Sequence, residues 1–429
     1  MRAAFVAIWG LKSAHLVASD TIAGRRLLLP ISMKGCGLRS TATTAVTAWL
    51  ACLRCVAPFL GDLNAKYKQV LNNITSSSAA ACLRASFDAR LSLPESARQL
   101  VIFDDKFCFP PDLGLQKALT HAVEKELYTE VLAAVTADGT RTLAHFRSTN
   151  GAWKSTPRLR HLQLTNAASR TRMERDLNLD LTVLDGVTVS ADYNDVDMKG
   201  DFLLGGFQDG DGNEYEDWHD SLRDTNAKFA AAAGCSYKVE PPNCVVGSER
   251  KPADLWVGPT SHGFALAGTR EFWGDFNIVG ATLATYRDAA ARACGAAARK
   301  GAENKLSDAL SSIPEDAWFQ PLVCETDGYV DKPQITLLTG WSKRYGGNSG
   351  LGDTEAKRLL KNWMGELAIV HARGLARCLN SRAARCVYET AVRNGKARGH
   401  KLPPSLREID EFYLPGDCWT GTSSSHRAD

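Results

Sequence analysis

The sequence predicts an α+β chain, with a mainly helical N-terminal half followed by a small mixed sheet flanked by helices. Two observations carry that expectation. Through most of the first 185 positions apolar residues recur at three- to four-residue steps, the period of a helix with one buried face. Beyond residue 219 short extended runs alternate with helical stretches in the order α-β-β-β-α-β-α, which implies a mixed sheet covered by helices. The 429 residues are 44% hydrophobic and 23% charged, which sets aside disordered and collagen-like classes and leaves chain for about two to four domains. No apolar run reaches the roughly 18 residues of a membrane span, so a polytopic membrane protein is excluded.

Taken in order, residues 40–60 and 112–136 have amphipathic helical spacing. In the second, Leu113, Leu115, Leu119, Val123, Leu127 and Val131 follow one another on one face. Pro94, Pro110, Pro111 and the run Ser76–Ser78 break the pattern between the two. A further helix is expected over 165–182, with Arg170, Arg172 and Arg175 on its exposed side. Residues 192–217 are rich in Gly and Asp, and Asp209, Asp211, Asn213 and Asp217 alternate as calcium-loop ligands do. An EF-hand needs Gly at its sixth position, where Glu214 stands, so a flexible linker is expected instead. A helix over 219–233 ends at Gly234. Extended segments follow at 237–240, 254–257 and 275–279, then an Ala-rich helix over 284–311, a strand over 319–324 and a last helix over 353–380. The expected organisation is 1–190 helical, 191–218 linker, 219–380 a domain with a small mixed sheet flanked by helices and 381–429 a basic tail.

The 12 cysteines are scattered along a chain long enough to fold without staples, and Cys52 and Cys55 form a lone CxxC with no second pair at zinc-ribbon spacing. Buried free thiols and an intracellular protein are expected. Charge is segregated behind a net value of +3. Residues 1–190 carry 23 basic and 15 acidic side chains, 191–280 carry 7 and 16, and 281–429 carry 21 and 17. An acidic block between basic ones suits either a solvated loop or a metal-binding carboxylate cluster beside a polyanion-binding surface.

Asp254 and Asp275 each stand at the expected start of an extended segment inside that block. If the strands are neighbours, the two carboxylates meet at one sheet edge, where they need to lie within about 5–6 Å to share a hard cation such as magnesium. Such an ion polarises a phosphoryl oxygen and supplies hydroxide for in-line attack. Lys305 or Lys300, on the following helix, would stabilise the developing charge or assist deprotonation of the water.

The same segment resembles the restriction-like endonuclease domain of non-LTR retrotransposon polyproteins, a branch of the PD-(D/E)xK nucleases. His219-Asp220-Ser221-Leu222-Arg223-Asp224 is similar to its helix opening, Arg250-Lys251-Pro252-Ala253-Asp254-Leu255 to the motif with the first metal-binding Asp, and Asp275-Phe276-Asn277-Ile278-Val279 to that with the second. Lys305 is similar to a Lys that the family places on the next helix, and Phe319–Thr326 to its last strand. Upstream, Leu29-Pro30, Gly35–Ser40 and Gly151-Ala152-Trp153 with Pro157 resemble elements between the polymerase palm and the nuclease, so the resemblance spans about 27–380. It implies a magnesium- or manganese-dependent endonuclease with Asp254 and Asp275 on the metal, Lys305 as catalytic partner, and His219, Glu240, Lys300 and Glu325 in support. It further implies DNA as partner, with RNA as a second polyanion, and a nuclear location. The chain departs from the family in having no Cys between Cys108 and Cys235, hence no zinc knuckle, and in a long gap between Asp254 and Asp275. A catalytically inactive remnant that binds nucleic acid or a protein is therefore the alternative. Polymerase chemistry is set aside, since Phe103-Asp104-Asp105 lacks the spacer of a palm turn.

Residues 371–401 hold eight basic side chains against Glu389 alone. Arg373, Arg377, Arg382 and Arg385 are expected to bind phosphates there. Trp153, Lys154, Arg158 and Arg160 are a second contact region, although a buried Trp153 anchoring a helix is favoured.

Overall fold

The structure is a computed structural model that describes residues 2–11, 17–38, 44–52, 56, 90–100, 114–154, 164–185, 187, 197–204, 214–241, 253–258, 271–309, 318–350 and 352–393. It divides into two compact units, Ser13–Phe146 and the remainder. Among the described residues the chain is α+β, mostly helical, with one mixed four-stranded sheet.

In order, the helices and strands are α1 (Arg2–Trp9), α2 (Ile22–Leu28), α3 (Glu95–Arg98), α4 (Leu115–Asp138), α5 (Thr140–Ser148), α6 (Asn166–Asp176), α7 (Glu214–Ala232), β1 (Tyr237–Val239), β2 (Leu255–Val257), β3 (Phe272–Val279), α8 (Ala284–Arg292), α9 (Ala296–Ala309), β4 (Trp318–Glu325), α10 (Lys332–Asn348) and α11 (Gly352–Arg393). Within Ser13–Phe146, α4 buries the stripe that its spacing predicts. Leu115 and Leu119 pack with Leu50 and Leu93, and Val131 and Val135 with Leu29 and Phe146. The helix expected over 40–60 is seen at 44–52, where Cys52 is exposed rather than buried. Cys55 lies outside the described residues.

In the other unit the strand order is β1-β2-β3-β4, antiparallel except for the parallel β3–β4 pair. Helices α8 and α9 make the crossover that a parallel pair requires. They replace the single helix expected over 284–311, because Gly295 adopts φ +71 between them, where a β-carbon would meet the Tyr329 ring at 2.3 Å. Along β3 the residues alternate between two faces. Phe272, Phe276 and Ile278 join the main core with Trp218, Leu222, Leu337 and Trp341, whereas α9 packs over β3 and β4.

Several expectations are corrected. Strand β3 begins at Phe272, so Asp275 is its fourth residue. The expected linker includes ordered chain: Leu203 and Leu204 are fully buried, and α7 starts at Glu214, not 219. Asp209, Asp211 and Asn213 lie outside the described residues. The described residues between 147 and 187 belong to the sheet-bearing unit. The boundary at 380 falls inside α11, and α10 was not anticipated. On α6, Arg172 and Arg175 are 1% exposed, against the expectation of a solvated face. Among the described residues no helix is long and apolar enough to cross a membrane.

Candidate active site

The β2–β3 register pairs Leu255 with Gly274 and so leaves Asp254 beside Asp275. That register sets the two carboxylates side by side at the sheet edge, close enough for each to shift the titration of the other. Because β2 is only three residues long, β3 runs past its end, and Phe276 has no strand partner on that side. Its N–H donates to Asp254 Oδ2 at 2.6 Å, and its carbonyl accepts from His219 Nε2 at 3.2 Å. A side chain thus takes the place of the missing ladder bond, which fixes the Asp254 carboxylate.

His219 comes from α7. Its Nε2 also reaches Asp254 Oδ2 at 3.1 Å, while Nδ1 faces Asp220 Oδ1 at 3.2 Å. Arg223, one turn on, pairs with Asp220 at 2.9 Å, with Asp224 at 3.0 Å and with Glu240. On the other side, Lys305 Nζ from α9 meets Asp275 Oδ2 at 2.9 Å. Charges therefore alternate from Arg223 through Asp220, His219 and the carboxylate pair to Lys305.

The electrostatics separate the two acids. Burial works to raise the Asp254 carboxyl, but hydrogen bonds from His219 and Asp275 outweigh it and hold Asp254 below its ordinary value. Burial and the adjoining Asp254 charge push Asp275 up to about 6, against the pull of Lys305. Burial also opposes the His219 imidazolium, yet the hydrogen bond and charge of Asp254 raise it to about 9. At neutral pH the ring is thus charged and both nitrogens donate.

That shift sets a pH dependence for the metal-free chain. A folded pKa above the unfolded value near 6.5 gives a contribution that is complete below pH 6.5 and lost as the pH rises through about 9. With chelator present, the melting temperature is expected to fall between pH 6.5 and 9, reflecting on the order of 1–3 kcal/mol once solvent screening is allowed for. His219→Gln should flatten this slope; an unchanged slope would mean that His219 is not charged in the fold.

Of the other residues singled out in the sequence, Glu240 reaches the cluster through Arg223. Lys300 does not reach it: its ammonium donates to the Thr285 carbonyl at 2.8 Å and lies over the Tyr286 ring. Glu325 is fully buried at the far end of β4, where it accepts from the Ala298 N–H. Asp275 sits opposite Pro321, so Glu325 is roughly 13 Å further along the strand. Arg382 is buried and donates to the Leu203 carbonyl at 2.6 Å, and Arg385 pairs with Glu214 at 3.2 Å. Both are used in contacts within the protein; of the other two arginines expected to bind phosphate, Arg373 is half-buried and Arg377 exposed on α11. Trp153 is buried on Asp176, which also holds Lys154 at 3.1 Å, while Arg158 and Arg160 lie outside the described residues. Asp220, Arg223 and the Phe276 main chain were missed as site components. The i,i+3 spacing of Asp220 and Arg223 was the available signal.

Among the described residues no group of three or more His, Cys, Asp and Glu side chains gathers as a metal cage. Two partly buried carboxylates side by side still suit magnesium, a hard ion that takes one or two carboxylates and completes its shell with waters and phosphate oxygens. No protein-family model, curated protein or solved structure matches the chain.

Proposed function

We propose that this chain is a metal-dependent, restriction-endonuclease-like protein of retrotransposon origin that nicks DNA by phosphodiester hydrolysis. The observation that carries this reading is the carboxylate pair formed by Asp254, directly before β2, and Asp275 on the neighbouring β3, with the Lys305 ammonium 2.9 Å from Asp275. Asp254 and Asp275 would hold magnesium or manganese, which when bound polarises a phosphoryl oxygen and lowers the pKa of an attacking water. His219 keeps Asp254 ionised and oriented. Lys305 supplies a positive charge beside the place where negative charge builds on the phosphate. The motif order around 219, 254, 275, 305 and 325 supports the retrotransposon relationship.

The second reading, a catalytically inactive remnant, is favoured by one observation: His219 and Lys305 pair with Asp254 Oδ2 and Asp275 Oδ2, oxygens that would otherwise serve a metal. Incubation of supercoiled plasmid with the full chain separates the readings. The nuclease reading expects open-circular product with magnesium or manganese, none with chelator, and at least about a tenfold loss in Lys305→Met. Absence of product with either metal would favour the remnant.

A further inference from the structure

The sheet face turned away from the main core carries a row of side chains that crosses all four strands. Lys238 pairs with Trp256, Trp256 with Trp273 and Trp273 with Phe319, and residues directly opposite one another project from the same face. Asp254 stands two residues before Trp256 and Asp275 two residues after Trp273, so the carboxylate pair shares this face, roughly 7 Å along the strands. Trp256 is half-buried, and its indole is held by its edge: Nε1 donates to Glu271 Oε2 at 3.0 Å. Over the ring, 5.3 Å from its centre, lies the ammonium of the exposed Lys238. An exposed lysine is a weakly held cover that a flat ligand displaces. The neighbouring Trp273 is 3% exposed, and its Nε1–H finds no acceptor among the described residues. A buried donor without an acceptor is costly, which sets this indole apart from that of Trp256.

We infer that this face is a base-binding subsite beside the carboxylate pair. An unpaired base next to the scissile phosphate stacks on Trp256, Lys238 moves from the ring to the phosphate of that nucleotide, and an acceptor of the bound nucleotide takes the Trp273 N–H. The choice of a nucleic-acid strand rests on the nuclease reading of the adjoining carboxylates. The nearby acids do not oppose it, because stacking acts on the uncharged base and tolerates any sequence. An indole already fixed by Glu271 binds at little ordering cost.

The test reads binding, not cleavage: anisotropy of a short fluorescent single-stranded oligothymidine on the full chain, with calcium in place of magnesium, against the same strand carrying abasic sites. The wild type is expected to bind the thymidine strand about 5- to 100-fold more tightly, the range for one stacked base. Trp256→Leu keeps an apolar side chain but not the flat ring and should erase that preference, whereas Trp256→Phe should retain part of it. Lys238→Ala, at an exposed position, should melt like the wild type, weaken both strands alike and lower the slope of log affinity against log salt by about 0.7. Equal affinity of the wild type for the two strands, or binding of neither, would overturn the proposal. So would a full preference in Trp256→Leu or an unchanged slope in Lys238→Ala. If Trp256→Leu fails to fold, the two strands on the wild type and the slope of Lys238→Ala still decide. Base preference without plasmid nicking leaves the subsite standing and removes the nuclease reading; nicking with equal affinities does the reverse.

Discussion

Asp254→Asn and Asp275→Asn are each expected to lower magnesium-dependent plasmid nicking by at least about 100-fold. A bound divalent ion contributes several kcal/mol of transition-state stabilisation, and each 1.36 kcal/mol is tenfold in rate. The amide keeps the shape of the carboxylate but loses its charge, so the effect separates ligation from packing. The variants should differ in stability. Asp254→Asn removes the charge that raises His219 and replaces an acceptor for the Phe276 N–H, so it should also lower the melting temperature. Asp275→Asn removes the neighbour whose ionised form repels Asp254, keeps an amide N–H that can donate to Asp254 in its place, and loses the partly exposed Lys305 pair, so it should melt near the wild type. Nicking that survives both changes would place the chemistry elsewhere in the chain.

The largest expected effect on stability lies away from that site. Arg175 is 1% exposed and holds Asp327 at 2.8 Å and Asp201 at 2.6 Å, with further bonds to the Lys199 carbonyl and the Thr282 hydroxyl. Burial opposes its charge, but Asp327 and Asp201 outweigh burial and raise its pKa above the already high value for arginine. These contacts tie α6 to the chain after β3, to the turn after β4 and to the segment before α7. Arg175→Met would leave two buried carboxylates without their cation, at a cost of about 3–5 kcal/mol. In a protein whose whole stability is on the order of 5–15 kcal/mol, that corresponds to roughly 10 °C in melting temperature. Arg175→Lys should recover only part, because a single ammonium cannot replace a forked donor set. A melting temperature within about 2 °C of wild type for Arg175→Met would show that the network contributes little.

Arg175 also shows where sequence reading stops. Helix α6 carries hardly any apolar residues to mark a buried side, so its arginines read as solvated. They are buried because Asp201 and Asp327, distant in sequence, converge on Arg175. Asp254, Asp275 and Lys305 were legible because short charged motifs stood at strand and helix positions that one small sheet brings together. The start of β3 was not legible: Phe272, Trp273 and Gly274 are all buried, so no alternation marked the strand before Asp275. Helix α10 was hidden by Gly340, Gly346 and Gly347, although Asp331 capping the Lys332 N–H, with Pro333 in the first turn, is a start signal. The basic face on α11 was half legible. The spacing of Arg373 and Arg377 shows in the sequence, but the internal pairing of Arg382 and Arg385 depends on Leu203 and Glu214, far away along the chain.

The claim that the carboxylate pair is a metal site is tested most directly by anomalous diffraction from crystals of the full chain soaked with manganese. The account predicts a peak bridging Asp254 and Asp275, about 2.0–2.3 Å from an oxygen of each, with Lys305 drawn off Asp275. Crystals with no peak between the two carboxylates, and with His219 and Lys305 still paired to them, would contradict it.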